Sequence, residues 1–421
     1  MHLPPFDTDV DPIVAQYAEQ TSFLWHLRAN AVYAPNFSLR DLNKLEDRIA
    51  ACIDGLRVAG DSAWIAWEAD QSNQDPGSLF APIILALETQ NRARLDALLS
   101  HAETVALLQK ALISAFGWTS PRLLQGIAKD LLDSTSTFNR RVGIACCAIH
   151  RVGPGPLLAE TVHHDDPALR SRSLRAVGEL GQHDLQQICA RAQTDEHVEC
   201  RFWATWSSLL LGDRTHALQL LADSAITEGP FRQRAFRFSL QAMSVTLSHR
   251  LLQKLAQNGC DIQWLISGSG IAGDARYIPW LIGHMKSEKT ARLAGEAFSL
   301  VTGTDLTVTN LERRAPEDFE SGPNDNPEDK NVAMDPDEGL PWPDADKVEQ
   351  WWAANASRFQ EGTRYFMGAP VTREHCIDVL KNGHQRQRIL AAHYLCLLEP
   401  GTPLFNTSAP AWRQQRLLSR L

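Results

Sequence analysis

No C-x-x-C pair occurs in this chain, although eight cysteines do (Cys52, Cys146, Cys147, Cys189, Cys200, Cys260, Cys376 and Cys396). Cysteine spacing of the zinc-site kind is therefore missing, and thiols inside apolar helical patterns such as "GIACCAIH" read as buried and reduced. No apolar run approaches the roughly 18 residues needed to span a membrane. The start, "MHLPPFDTDVDP", lacks the basic and apolar regions of a secretory leader, so a cytoplasmic location is expected. Also absent are G-x-x-x-x-G-K-[ST], G-x-S-x-G and H-E-x-x-H, the motifs that place phosphates, a serine nucleophile or a catalytic zinc. "SGSGIAG" at 267–273 has the glycines of a phosphate loop, but no strand precedes it. The expectation is a protein that is not an enzyme and holds no cofactor or metal.

Basic residues are scarce in one region. Between Ala315 and Asp346 eleven acids face a single base, Lys330, giving −10; the whole chain is −9, so the remainder is +1. A nearly neutral body argues against a broad nucleic-acid footprint, which requires a basic face.

What the sequence does have is repetition. "NRRVGIACCAIHRVG", "PALRSRSLRAVGELG", "HVECRFWATWSSLLLG", "DIQWLISGSGIAG" and "KTARLAGEAFSLVTG" end at Gly153, Gly181, Gly212, Gly273 and Gly303. The spacings are 28, 31, 61 and 30, and the long one hides a degenerate copy, "PFRQRAFRFSLQAM". Each unit reads as a first helix, a turn, and a second helix whose small and apolar residues form one stripe, as Leu174, Val177 and Leu180 do. The glycine that follows supplies the positive φ of a helix end. Such pairs cannot bury their stripes alone and must stack. The fold class expected is all-α: a HEAT-like α-solenoid, or alpha-alpha superhelix, with repeats of about 30 residues.

One stretch, "TVHHDDPALRSRSLRAVGELG" (161–181), resembles a metal site because His163, His164, Asp165 and Asp166 are consecutive. The local chemistry favours a turn instead. Asp166 before Pro167 has the form of an N-cap followed by a proline at the first helical position. The histidine pair also occurs in no other copy.

The N-terminal part departs from the repeat. Val10–Val32 is rich in helix formers. "SLRDLNKLEDRIAACIDGLRVAG" reads as a long helix with a Ser38/Asp41 capping box, a stripe from Leu39 to Leu56, and an end at Gly60. A helical cap over 1–75 is expected, with a homodimer contact through 38–59 as the sharper alternative. HEAT-like repeats follow over 76–311. Residues 312–346 are an acidic, Pro-rich loop too poor in apolar residues for a core. A calcium loop does not fit it, since from Asp335 the glycine falls at position five instead of six. Trp342, between Pro341 and Pro343, is expected to dock back onto the array or onto a partner. Over 347–421 come an aromatic segment and a final helix pair that resumes the array. Trp351, Trp352, Phe359 and Tyr365 interleave with Arg358 and Arg364, the residue types that dominate protein–protein contacts. The same residues can stack within the fold, with both arginines pairing the acidic loop, and that role is favoured. The partner-binding candidates are therefore Trp342, Trp351, Trp352, Arg358, Phe359, Arg364 and Tyr365, with Asp335, Asp337 and Glu338.

"FLWHLRANAV", "LEDRIAACIDGLRVAG", "GLPWPD" and "WWAANASRFQEGTRYFMGAPV" resemble a proteobacterial HEAT-repeat family of similar length that often accompanies type VI secretion gene clusters. The resemblance implies an accessory role, such as an adaptor in effector loading, with a secretion effector or a spike or tip component as protein partner. It carries over no catalytic residue. Where the family often has a histidine in the second of these helices, this chain has Cys52. Two other classes are alternatives: a metal-dependent HEAT-type hydroxylase, and a HEAT-like DNA-binding or glycosylase protein using Arg141, Arg170, Arg172, Arg201, Arg232, Arg234 and Arg292. A protein-interaction scaffold fits the sequence better than either, with no nucleic acid and no membrane as partners.

Overall fold

A computed structural model describes residues 11–69, 75–317, 319, 322 and 334–421. They are all-α, with successive helices packed in solenoid-like order. The chain divides into two units, one of residues 1–33, 37–204 and 406–421, the other of 34–36 and 205–405. No helix among the described residues is long and apolar enough to cross a membrane.

The first unit opens with a hairpin of α1 (Pro12–Ala31) and α2 (Leu39–Ala59). Asp11 caps α1, and the Ser38/Asp41 capping box starts α2 with both reciprocal bonds in place. Then come α3 (Asp61–Ala69), α4 (Phe80–Glu88), α5 (Arg92–Thr104) and α6 (Gln109–Trp118). From Phe80 to Leu87 every residue of α4 is buried, so it is a central element and not an amphipathic one. Pairs follow: α7 (Gln125–Leu132) with α8 (Thr137–His150), α9 (Leu157–Thr161) with α10 (Pro167–Leu180), and α11 (Gln186–Ala192) before α12 (Val198–Leu210). The second helices α8 and α10 pack on each other, as the stripe on each requires.

In the second unit the pairs are α13 (His216–Ile226) with α14 (Arg232–Ala242), α15 (Val245–Gln257) with α16 (Ile262–Ala272), and α17 (Ile278–Met285) with α18 (Glu288–Thr302). The degenerate copy is α14, which ends at Met243 without a glycine. The second helices stack, α14 on α16 and α16 on α18, and α16, α17 and α18 share a core that includes Ile266, Leu281, Phe298 and Val301. Gly181, Gly273 and Gly303 end their helices in the left-handed region, as expected. The expectation at Gly153 does not hold: α8 stops at His150, and Arg151 takes the left-handed turn with φ +57°.

After α18 the chain forms two minimal strand pairs. β1 (Glu312–Arg313) pairs antiparallel with β2 (Trp342–Pro343), closing the base of the acidic segment. Next are α19 (Ala345–Asn355) and a tight hairpin of β3 (Tyr365–Phe366) and β4 (Ala369–Pro370). Met367 and Gly368 both have positive φ, the requirement of a two-residue hairpin turn. This hairpin seats on the ends of α16 and α18: Tyr365 N–H donates to Gly273 O (2.8 Å) and Gly368 N–H to Val301 O (3.1 Å). A Cβ at Gly273 would stand 2.3 Å from Tyr365 O, so the contact requires glycine there for space as well as for φ.

α20 (Arg373–Asn382) and α21 (Gln385–Leu398) pair, but they do not extend the stack beyond α18 as the sequence suggested. Instead α21 packs on α14, and Gln241 Nε2 donates to Leu390 O across that contact (3.1 Å). α22 (Ala411–Leu418) belongs to the first unit and packs on α2. There Arg28 and Glu46 form a buried ion pair (2.8 Å), Arg28 donates to Ser408 O, and Glu46 accepts Ala411 N–H. Leu42, Ile49, Ile53 and Leu56 of the α2 stripe are almost inaccessible within this single chain. The apolar seam proposed for a dimer through 38–59 is thus already covered.

Candidate functional site

The histidine–aspartate stretch is a repeat turn. Asp166 Oδ1 accepts Leu169 N–H (2.7 Å), and Asp166 N–H donates to His164 Nδ1 (3.0 Å). Arg170 spans to the next turn, gripping both oxygens of Asp195 at 2.8 and 3.1 Å while donating to the carbonyls of His164 and Asp165. Arg201 repeats the motif one unit on, donating to the carbonyls of Asp195 and Glu196. Among the described residues no three His, Cys, Asp or Glu side chains converge on a metal position.

The other arginines named for a nucleic-acid face are similarly engaged. Arg172 pairs with Glu179, Arg232 with Glu228, and Arg141 donates to Gln109. Arg292 is held by Asp335 (2.7 Å) and donates to Asp337 O.

In the acidic segment the described ends are ordered by long-range contacts. Trp342 is 9% exposed, lies between the guanidinium groups of Arg292 and Arg313, and meets Phe319 edge-on. Trp342 thus docks within the fold. Asp335 pairs with Arg292, Asp337 lies 3.8 Å from Arg386, and Glu338 is exposed. Pro323, Asp325, Pro327, Glu328, Asp329 and Lys330, with Asp318 and Glu320, were assigned to the loop by sequence and lie outside the described residues.

Trp351 meets Phe298 edge-on and packs on the second unit's core, while Trp352, Phe359 and Tyr365 form a chain of ring contacts at 5.5 and 5.1 Å. The stacking role therefore holds, while the two arginines have other partners among the described residues. Arg364 donates to the carbonyls of Gln241 and Met243 and to Ser248 Oγ, neutralising the C-terminal end of α14. Arg358 stays exposed and bonds Asn355. Neither meets an acid of the 312–346 segment among the described residues; for Arg364 the bare carbonyls at the end of α14 are the partners.

The residues that sequence reasoning missed lie on α17 and the turn before it. Tyr277, Trp280 and His284 are spaced by three and four, which puts them on one helix face. Their rings meet at 6.5 and 4.5 Å, and His249 of α15 extends the row against Tyr277 at 5.2 Å. Trp280 is 37% exposed at the centre of this ladder. Its outer end is fixed from below: fully buried Asp274 lies 3.2 Å from His249 Nε2 and accepts the N–H groups of Arg276 and Gly362. Arg276 donates to His249 Nδ1 (3.2 Å). Burial holds the His249 pKa below the ordinary histidine value despite Asp274. The signal was present in "ARYIPWLIGHM", whose spacing marks the face but not which side is left uncovered.

No family model matches this chain, and no curated protein or solved structure is significantly similar to it.

Proposed function

We propose that this protein is a non-enzymatic interaction scaffold, an adaptor whose docking face is the aromatic ladder of α15 and α17. The observation that carries this reading is Trp280, a large aromatic left over one third exposed between Tyr277 and His284 while the other aromatic cluster is spent inside the fold. Tryptophan, tyrosine and arginine in a rigid row provide contact area at small entropic cost, the usual make-up of a binding hot spot. Arg276 at the ladder's edge adds a charged donor. Five of the arginines that a nucleic-acid reading would use, Arg170, Arg172, Arg201, Arg232 and Arg292, are committed to helix-turn carbonyls and ion pairs, which supports a protein partner. The resemblance to proteins of type VI secretion clusters suggests an effector or a spike or tip component as that partner, and an accessory role in a reducing compartment.

The test is affinity capture from the native host with wild-type protein and a Trp280→Ala variant of unchanged circular dichroism. A reproducible partner retained by the wild type and lost by the variant supports the proposal. Equal recovery by both moves the docking face elsewhere, and no reproducible partner removes the adaptor reading.

A further inference from the structure

The first unit contains a cavity of about 650 Å³ that the repeat pattern does not foresee. Its origin is a shortened helix. α8 ends at His150, Pro154 and Pro156 keep the next residues out of a helix, and α9 amounts to five residues where α7 has eight and α13 eleven. The flank of α8 that a full first helix would cover is left open between α7 and the 152–157 loop. The walls are apolar: Leu124, Leu132, Val152 and Leu157, with Cys146 and Cys147 behind them. This size and lining are those of small-molecule sites, typically about 300–1,000 Å³ with few polar groups.

The polar groups have a definite arrangement. Arg122 and Lys129 line the cavity, are exposed, and have no ion-pair partner among the described residues. The lining acid is Asp133, just past the end of α7; Asp130, within α7, is already held by Arg92 at 2.7 Å. Arg413 approaches from α22, bonded through Nη2 to Thr119 O, with Nε and Nη1 buried and unpaired. The local field is therefore positive. His150 also lines the cavity. Its Nε2 lies 2.9 Å from Phe116 O and must carry the proton, which leaves Nδ1 as a bare acceptor, buried and without a partner. Burial and the Arg413 charge push its pKa down to about 4, so the ring is neutral at physiological pH. The thiol of Cys146 is raised far above the usual range by burial, so covalent chemistry is not what this site offers.

We propose that this cavity binds an amphipathic carboxylate of the fatty-acid class. The aliphatic chain lies among Leu124, Leu132, Val152 and Leu157, the carboxylate sits at Arg122 and Lys129, and a hydroxyl on the chain, where present, donates to His150 Nδ1. Apolar walls select the tail, unpaired cations select the sign of the head, and the orphan acceptor selects a donor. An unmatched buried acceptor costs stability, and a ligand hydroxyl relieves that cost. The site shares no residue with the aromatic ladder, and the two proposals stand or fall separately.

The experiment is calorimetric titration of the full chain with dodecanoate, ω-hydroxydodecanoate and dodecyltrimethylammonium, all below their micellar concentrations. Both carboxylates are expected to bind at one site, the hydroxylated one more tightly by roughly three- to tenfold, the equivalent of one hydrogen bond. The cation is expected not to bind. Arg122→Glu with Lys129→Glu, both exposed positions, should weaken dodecanoate by at least about tenfold. Leu132→Trp should fill the cavity and abolish binding. His150→Phe should remove the preference for the hydroxylated chain while dodecanoate still binds. Equal binding of the cation, indifference to the double charge reversal, or no binding of either carboxylate overturns the proposal. Equal affinity of the two carboxylates for the wild type overturns the role given to His150.

Discussion

Residues 161–181, whose three acids are balanced by three arginines, and the acidic residues 312–346 both resemble a site in the sequence, yet they use their charges in opposite ways. In the first, Asp166 satisfies a helix start three residues away, and Glu179 lies between two arginines of its own helix, Arg172 at 2.8 Å and Arg175 at 2.8 Å. In the second, Asp335 and Asp337 meet Arg292 and Arg386, which stand 43 and 49 residues away in sequence. Local spending needs only helix geometry. Distant spending needs the fold to be formed already, and it brings like charges together as well as opposite ones: Glu296 and Asp337 share Arg386.

The largest expected effect tests the local case. Glu179 is fully buried, and although burial alone would raise its pKa, Arg172 and Arg175 outweigh that and hold it at about 2. A carboxylate with a depressed folded pKa stabilises the native state above its unfolded value of 4.5, and that contribution is lost as pH falls from there towards 2. Glu179→Gln should therefore cost about 3 kcal/mol near neutral pH, because it leaves the buried Arg172 charge uncompensated. Urea unfolding at pH 7 and at pH 3 checks it: the penalty should shrink markedly at the lower pH.

The distant case is tested next by Arg292→Ala. It removes the guanidinium that pairs with the poorly exposed Asp335 carboxylate and stacks on Trp342 and Phe319. A loss of roughly 2 kcal/mol is expected. Hydrogen exchange should quicken across residues 335–343 and leave α10 unchanged. Uniform loosening of both regions would mean that the acidic segment is held by something other than these pairs.

The same division explains what could be read from the sequence. Caps and helix ends at Ser38, Asp166, Gly181, Gly273 and Gly303 were legible, because each depends on residues within one turn. Arg151 was not, since an arginine in the left-handed region has no local signature. The retreat of α21 onto α14 was also hidden: its sequence has the form of one more repeat, and it is long-range contacts, such as Gln241 Nε2 with Leu390 O and Phe238 with His393, that hold it there. The docking row of Tyr277, Trp280 and His284 had visible spacing, but its exposure depends on which neighbours fail to cover it. The cavity beside His150 arises from the shortness of α9, a feature noticed only against the length of its counterparts.

A smaller effect sharpens the local side. Asp166→Ala removes the N-cap of α10 while leaving Pro167 and the helix stripe intact. The expected cost is about 1 kcal/mol, measured as a lower urea midpoint at unchanged slope. Were the stretch a ligand site instead of a turn, the substitution would leave stability almost unaffected.

The smallest effect has the opposite sign, and it separates the two regions most cleanly. Asp337 is raised above the ordinary aspartate value, chiefly by burial and then by Glu296, with Arg386 and Arg292 opposing. A carboxyl whose folded pKa is raised binds its proton more tightly in the native state. Its ionisation therefore destabilises the fold, beginning as pH climbs through the unfolded value of 3.8 and complete once it passes the raised folded one. Asp337→Asn should accordingly stabilise the protein near neutral pH, by less than about 1 kcal/mol, with the gain disappearing below pH 3.8. Thermal unfolding of the variant and the wild type at pH 7 and pH 3.5 decides it. A loss of stability at pH 7 would show that Arg386 outweighs Glu296, and that the distant carboxylates are as well matched as Glu179 is by its own helix.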